Sequence, residues 1–402
     1  MKKLKLIAAI FIALITITAC SDDETIIPQV SITTFSPQTA NIGDVITLNG
    51  QNIDVNNTYQ VFFNGLEGTV TEVATTYLKV TVPERAASGE ITVIYNGKTI
   101  NAGSITIINI ITGDVQLLTQ QEVDDFGANN YSAIVGRLLI GADNNPTPAS
   151  IVSLEPLSAL TSISSSLRIE HNTALTNVDG LNNITETGNL LLVHNDALTN
   201  VNGLNGLTAT LGFYIYSNPL LTTIEGLSSL TFVDYLYING NASLTTLNGL
   251  QNLTTIDETL EISNTALTNI DALSNITILT YDLEITNNEF LTSIEGLSNL
   301  ITIEEEVEIS GNELLANLDG LIGLTSVGYG VEIRNNLALS NLDGLVNLAN
   351  VGDSFYIDDN TILSDFCGLN TLIIDNSYTD LRVTDCAYNP TEQDIIDGNC
   401  SQ

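Results

Sequence analysis

Two stretches of the chain repeat almost letter for letter: HNTALTNVDGL from His171 and HNDALTNVNGL from His194, 23 residues later. They hold the chain's 2 histidines. Imidazole transfers protons near neutrality and ligates metals, so this pair is the first place to look for chemistry. Equivalent positions in stacked strand-based repeats would bring the two rings to about 5–7 Å, close enough to share an ion. A zinc site, however, takes at least three protein donors. Only Glu170 adjoins the pair, and the same slot in the next repeats holds Ser217 and Gly240. The chain has no G-x-S-x-G, H-E-x-x-H, C-x-x-C or phosphate-binding loop. An active site also needs a nucleophile with its base, a metal cluster or paired carboxylates in a cleft. Carboxylates abound here, yet none is singled out as a pair. The histidines are therefore expected to be corner residues of a scaffold, and no catalysis is expected.

The elements that would position them sit in an extremely acidic chain. Its 402 residues carry 10 Lys+Arg against 47 Asp+Glu, a formal charge of −37. Such a field repels phosphate backbones and argues against nucleic acid as a partner. With 44% hydrophobic residues, the chain is nonetheless no disordered acidic tail. Lys2, Lys3 and Lys5 precede an apolar run from Leu6 to Ile17, followed by Thr18-Ala19-Cys20. A basic start, a short apolar core and small residues describe a secretory signal over residues 1–19, too short to span a bilayer. A cysteine directly after Ile17-Thr18-Ala19 resembles the lipobox of bacterial lipoproteins, with Ile17 where Leu is commoner. That resemblance implies Cys20 as the lipidated first residue of the mature chain. An ordinary signal with an incidental cysteine is the alternative. Ser21-Asp22-Asp23-Glu24 resembles the surface-export signal of Bacteroidetes lipoproteins. It implies an outer-membrane protein facing the exterior, on a tether over residues 20–27, touching the membrane through its lipid alone.

From Pro28 to Ile108 the chain alternates β-branched runs (VSITTF, VITLNG, QVFFNG, YLKVTVP, GEITVIY, SITII) with turn residues such as Asn49-Gly50, Asn64-Gly65 and Asn96-Gly97. Turns every eight to twelve residues, as here, argue for a small β-sandwich. The order FSPQTANIGDVITLNGQNI, VFFNG, VTVPERAASGEITV resembles an IPT/TIG domain, an immunoglobulin-like module that serves its family as spacer or interaction platform. Residues 109–114 read as a join, after which Thr119-Gln120-Gln121-Glu122 has the form of a capping box opening a short helix.

A second pattern then takes over. An apolar-x-apolar signature starts at Leu138, Leu167, Leu190, Phe213, Leu236, Leu260, Leu283, Val307, Val331, Phe355 and Leu381, and the steps from 167 to 355 are all 23 or 24 residues. Repetition at that period means stacked coils, none able to bury its apolar side alone. Each coil follows the plan of LYINGNASLTTLNGLQNL at 236–253. The leucines and isoleucines face inward. Asn172, Asn195, Asn218, Asn241, Asn264, Asn288, Asn312, Asn336 and Asn360 recur at the first corner, where stacked amides can bond turn backbone and one another. The glycine of each x-G-L is expected to ease a tight second corner.

This plan is similar to the receptor L domain, the right-handed, leucine-rich-repeat-like β-solenoid of insulin- and EGF-receptor ectodomains. The similarity covers 115–402. The expected fold is thus all-β: an immunoglobulin-like β-sandwich over 28–108, then a parallel β-solenoid with a C-terminal cap over 386–402. FCGL at 366–369 and AYNPTEQDIIDGNC at 387–400 resemble that family's end. The resemblance implies a Cys367–Cys400 disulfide tying the last helix over the open core. Cys386 falls near a ladder-Asn position, as a buried thiol or a competing partner.

Strand alternation also names an outward row. The middle residue of each signature reads Arg168, Leu191, Tyr214, Tyr237, Glu261, Glu284, Glu308, Glu332, Tyr356 and Arg382, with Tyr216 beside Tyr214. Tyr214, Tyr216 and Tyr237 offer rigid contact area with polar tips, suited to a protein or glycan. The four glutamates, stacked at coil spacing, should repel one another. They are expected to take up protons readily or to bind a cation, calcium being the one candidate ion in a chain with no other cofactor expected. The functional expectation is a cell-surface binding or adhesion lipoprotein that presents the solenoid to a surface protein or glycan. The alternative is a glycan-capturing protein of a polysaccharide-uptake system, disfavoured by the absence of Trp.

Overall fold

The computed structural model describes residues 29–143, 149–375 and 378–402. The signal, Cys20 and the tether lie outside the described residues. No described helix is long and apolar enough to cross a membrane.

The first unit is a sandwich whose 8 strands form one hydrogen-bonded path, antiparallel except where Thr39–Asn41 runs parallel to Lys98–Ile108. Alternation buries Ile46, Leu48, Val61, Phe63, Leu78, Val80, Ile91 and Val93 between its faces. Asn64-Gly65 and Asn96-Gly97 take positive φ at both residues, the geometry that matches hairpin turns to strand twist. Asn49-Gly50 makes no turn. Both residues lie inside the strand Val45–Gln51, where Gly50 lets the neighbouring strand at Ser31 approach.

Beyond it the chain is a stack of parallel coils. In-register pairing runs Leu138, Leu167, Leu190, Phe213, Leu236 and on through Leu260, Leu283, Val307, Val331, Phe355 and Leu381, every step parallel. A parallel ladder with one strand per coil fits a β-solenoid. The signature's first and third residues are buried in nearly every coil, forming one continuous core from Leu117 to Cys400. The stack starts earlier than the signature suggests. Val115–Leu117 pairs with Leu138–Gly141, and Ile110–Thr112, read as part of a join, pairs with Ala133–Val135. Short strands at 278–279, 302–303, 326–327 and 350–351 make a second, 4-stranded sheet.

The first corner has two linked requirements. The residue before each ladder amide takes a left-handed backbone: His171, His194, Ser217, Gly240, Asn264, Asn287, Gly311, Asn335, Asp359 and Asp385 all have φ between 52° and 69°. Asn, Asp, His and Gly tolerate that conformation best. The ladder amide then turns inward, fully buried. Its Nδ2 donates to a carbonyl of the previous coil (Asn195 to Ile169, 2.8 Å) and its Oδ1 accepts the N–H of that coil's amide (Asn172 N, 3.3 Å). Asn264 does not belong to this ladder. It occupies the left-handed position, and Thr265 fills the ladder place, donating its hydroxyl to Asn288 Oδ1 at 2.7 Å. The one-residue offset comes from the extra residue in that 24-residue step.

The x-G-L glycines divide into two kinds: Gly180 and Gly249 take the positive φ expected of a tight corner, and the others have a different reason. Gly203, Gly226, Gly320 and Gly344 have no positive φ; they sit in 3-10 turns stacked so closely that a Cβ would collide with the carbonyl of the coil below. Both ends of the core are closed. The helix Gln120–Gly127, with the Thr119/Glu122 capping box, buries Val123 against the first coils. At the other end Cys367 and Cys400 form a disulfide, and Glu392–Ile396 lays Ile395 on the core.

Candidate functional site

The outward face of the ladder is three residues wide, because the positions flanking the signature share the orientation of its middle residue. In successive coils it presents Gly212-Tyr214-Tyr216, then Tyr235-Tyr237-Asn239, then Thr259-Glu261-Ser263 and Asp282-Glu284-Thr286. The expected tyrosine group is therefore larger by one. Tyr235 stands one residue ahead of its strand signature, a place that a reading of middle residues alone passes over.

The four rings form one cluster. Tyr214 and Tyr237 stack at 5.0 Å between centroids and 7° between planes; Tyr235 and Tyr237 stack at 6.0 Å and 16°. Tyr216 leans on both Tyr214 and Tyr237 at 6.2 and 6.4 Å. Gly212 makes this possible, since a Cβ there would collide with the Tyr214 ring. Burial and acidic neighbours together raise the phenols above their ordinary value. A hydrogen bond to Glu258 leads the causes that push Tyr235 up to about 12. Burial, then the charge of Glu261, raises Tyr216 further, and burial likewise raises Tyr214 and Tyr237.

Glu261, Glu284, Glu308 and Glu332 follow in register along the same face. Three are occupied: Glu261 accepts from Asn239 Nδ2 (3.0 Å) and Ser263 Oγ (2.8 Å), Glu308 from Ser310 Oγ (2.7 Å), and Glu332 pairs with Arg334. Glu284 has neither hydrogen bond nor ion pair among the described residues. Burial raises its pKa, and Glu261, Asp282, Glu308 and Glu306 raise it further. Glu306, on the flank of the row, is raised by burial and then by Glu332. The row does not gather ligand atoms around a point. Among the described residues the only three such groups within 4.8 Å of one another are on Asp358, Asp359 and Asp385, at an exposed corner.

His171 and His194 stack at 4.9 Å and 21° on successive left-handed corners. Glu170, the one donor beside them, is buried and salt-bridged to Arg168 at 2.6 Å. The geometry is that of a corner column. Cys386 takes the ladder position after Asn360 and is half-buried; burial raises its thiol, while hydrogen bonds from the Asn360 backbone and side chain lower it. A hollow of about 280 Å³ near the far end of the face is walled by Arg334, Tyr356, Asp358, Arg382 and Thr384.

Residues 30–107 match the family model of the IPT/TIG domain. Modules of this kind occur in cell-surface and binding or adhesion proteins. No curated protein matches the chain.

Proposed function

We propose that this chain is a lipid-anchored surface protein of the outer membrane whose business is binding, not catalysis. Cys20 carries the lipid, the IPT/TIG domain at 30–107 is the spacer, and a right-handed, receptor-L-domain-like β-solenoid presents the ladder face to a partner. One observation carries the reading: four tyrosines packed into a rigid cluster on the outward face of a sheet, where the inward face already supplies the core. Aromatic groups gathered on a rigid surface are the usual anchors of recognition. A β-ladder backbone also holds them without the ordering cost a loop would bring. The histidines, bound to corner duty, and the largely engaged glutamates support a binding role over a reactive one.

The test has two arms in cells expressing the chain. Cys20→Ala should abolish incorporation of labelled fatty acid and release the protein from the membrane fraction. Tyr214→Ala/Tyr237→Ala should keep anchoring and fold but lose attachment of the cells to their substratum or to partner cells. Continued acylation of the cysteine variant, or undiminished attachment by the tyrosine variant, would contradict the proposal.

A further inference from the structure

The charge of the ladder face narrows the kind of partner, an inference that rests on the ladder face being the recognition surface. Between Arg168 and Arg334 the chain contains no Lys or Arg. Across those coils the outward face is tyrosine at one end and carboxylate at the other, with no cation of its own until Arg334 meets Glu332. Glu284 lies in the middle of this stretch, half-buried and unpartnered among the described residues, with Asp282 just before its strand and Glu261 and Glu308 on the adjoining ones. Half-burying a carboxylate among others costs free energy unless a cation or proton arrives.

Three kinds of ligand compete for such a face. A bare metal ion needs converging oxygens, and this row spreads them one coil apart. A neutral sugar needs open ring faces, and Tyr237 stacks on both Tyr214 and Tyr235, so that these rings share their faces with one another. An organic cation on an aliphatic stem needs an apolar ledge beside a carboxylate, which is what Tyr216 and Tyr237 next to Glu261 and Glu284 provide: the charges of Glu261 and Glu284 act on both phenols.

We propose that the ladder face binds an extended basic segment of a partner protein, its Arg or Lys heads on Glu284 and its neighbours and their stems along the tyrosine ledge. From Glu261 to Glu332 is three coil steps, roughly 14 Å at strand spacing. An extended segment crosses that distance in about four residues, so basic residues at alternate positions face the row together. Arg suits the site better than Lys, because its planar fork bonds a carboxylate through two N–H groups.

The test uses the full chain in non-ionic detergent and a fluorescent peptide of alternating Arg and Ser, with its citrulline counterpart as neutral control. Anisotropy is read at about 150 mM salt, where long-range attraction is screened. The Arg peptide should bind saturably and the citrulline peptide at least about tenfold more weakly. Glu284→Gln/Glu308→Gln should weaken the Arg peptide by about tenfold or more, and Glu225→Gln/Glu295→Gln, which removes two charges from the exposed 3-10 turns, by less than about twofold. Equal losses in the two double variants would reduce the effect to net charge and overturn the proposal, as would no saturable binding. A neutral dextran oligosaccharide is run in parallel. Were it to bind through Tyr214 and Tyr237 while the Arg peptide did not, the ladder face would stand and the basic partner would fall. Were both probes indifferent to Tyr214→Ala/Tyr237→Ala, both readings would fall.

Discussion

Asn312→Ala removes one rung of the buried amide ladder, and the structure sets the size of the effect. Asn312 Nδ2 donates to Ile285 O at 2.8 Å and to Asn336 Oδ1 at 3.3 Å. Its Oδ1 accepts the Asn288 backbone N–H at 3.1 Å and Asn288 Nδ2 at 3.3 Å. Truncation therefore strands a buried N–H and strips a donor from a buried carbonyl, each worth about 1–3 kcal/mol. Little is regained by relaxation, because the coils above and below fix the spacing. A loss of about 3–5 kcal/mol follows. The chain contains its own control at Thr265, whose hydroxyl still donates to Asn288 Oδ1 but reaches no carbonyl of the previous coil. Asn312→Thr should accordingly cost less, about 1–2 kcal/mol. Repeat stacks need not unfold in one step. The assay is therefore urea unfolding followed by circular dichroism, paired with hydrogen exchange at the Asn288 amide, which should lose protection selectively. A cost under about 1 kcal/mol, or unchanged protection at Asn288, would refute the claim that this ladder carries stability.

Burial and neighbouring carboxylates raise the folded-state pKa values of Glu284 and Glu306 from their ordinary value, so their effect on stability has a definite sign. The stabilising contribution is complete below the unfolded pKa and is lost as pH rises through the folded one. Melting temperature should therefore climb as pH falls from 7 toward the carboxylate range, and Glu284→Gln should flatten that climb; a slope unchanged in the variant counts against it. Opening the Cys367–Cys400 bridge by serine substitution should cost about 3–4 kcal/mol from a loop of 33 residues, loosen the cap, and speed alkylation of Cys386. Peptide mapping that found Cys386 in a disulfide would contradict this assignment. Millimolar calcium should move the melting temperature of the parent and of Glu284→Gln/Glu308→Gln equally, since the row does not converge on a point; a shift confined to the parent would show a cation site there.

The coil period, the strand register and the capping helix are legible in the sequence because each rests on a pattern that recurs: apolar residues that must face inward at every step. What the sequence obscures lies where one residue of slack decides the geometry. Asn264 and Thr265 both suit a corner, and the extra residue in the step from Leu236 to Leu260 decides which turns inward, where Thr265 bonds Asn288. Tyr235 escapes notice because it precedes the signature, although the same alternation that exposes Tyr237 exposes it too. The spacing of His171 and His194 is visible, while their left-handed backbone, which explains the residue type, is not. Ile110–Thr112 is too short for alternation to show, and its strand exists only because Ala133–Val135 lies beside it.

The central claim is that the ladder face is where a partner sits, and site-specific photo-crosslinking on intact cells tests it whatever that partner's identity. A photoreactive residue at Leu191, Glu284 or Tyr356 reports on the face, and one at Leu220 or Ile301 on exposed positions elsewhere in the coils. The account predicts adducts from the three face positions, lost when Tyr214→Ala/Tyr237→Ala is introduced, and none from Leu220 or Ile301. Adducts from Leu220 or Ile301 with a silent ladder face would contradict it.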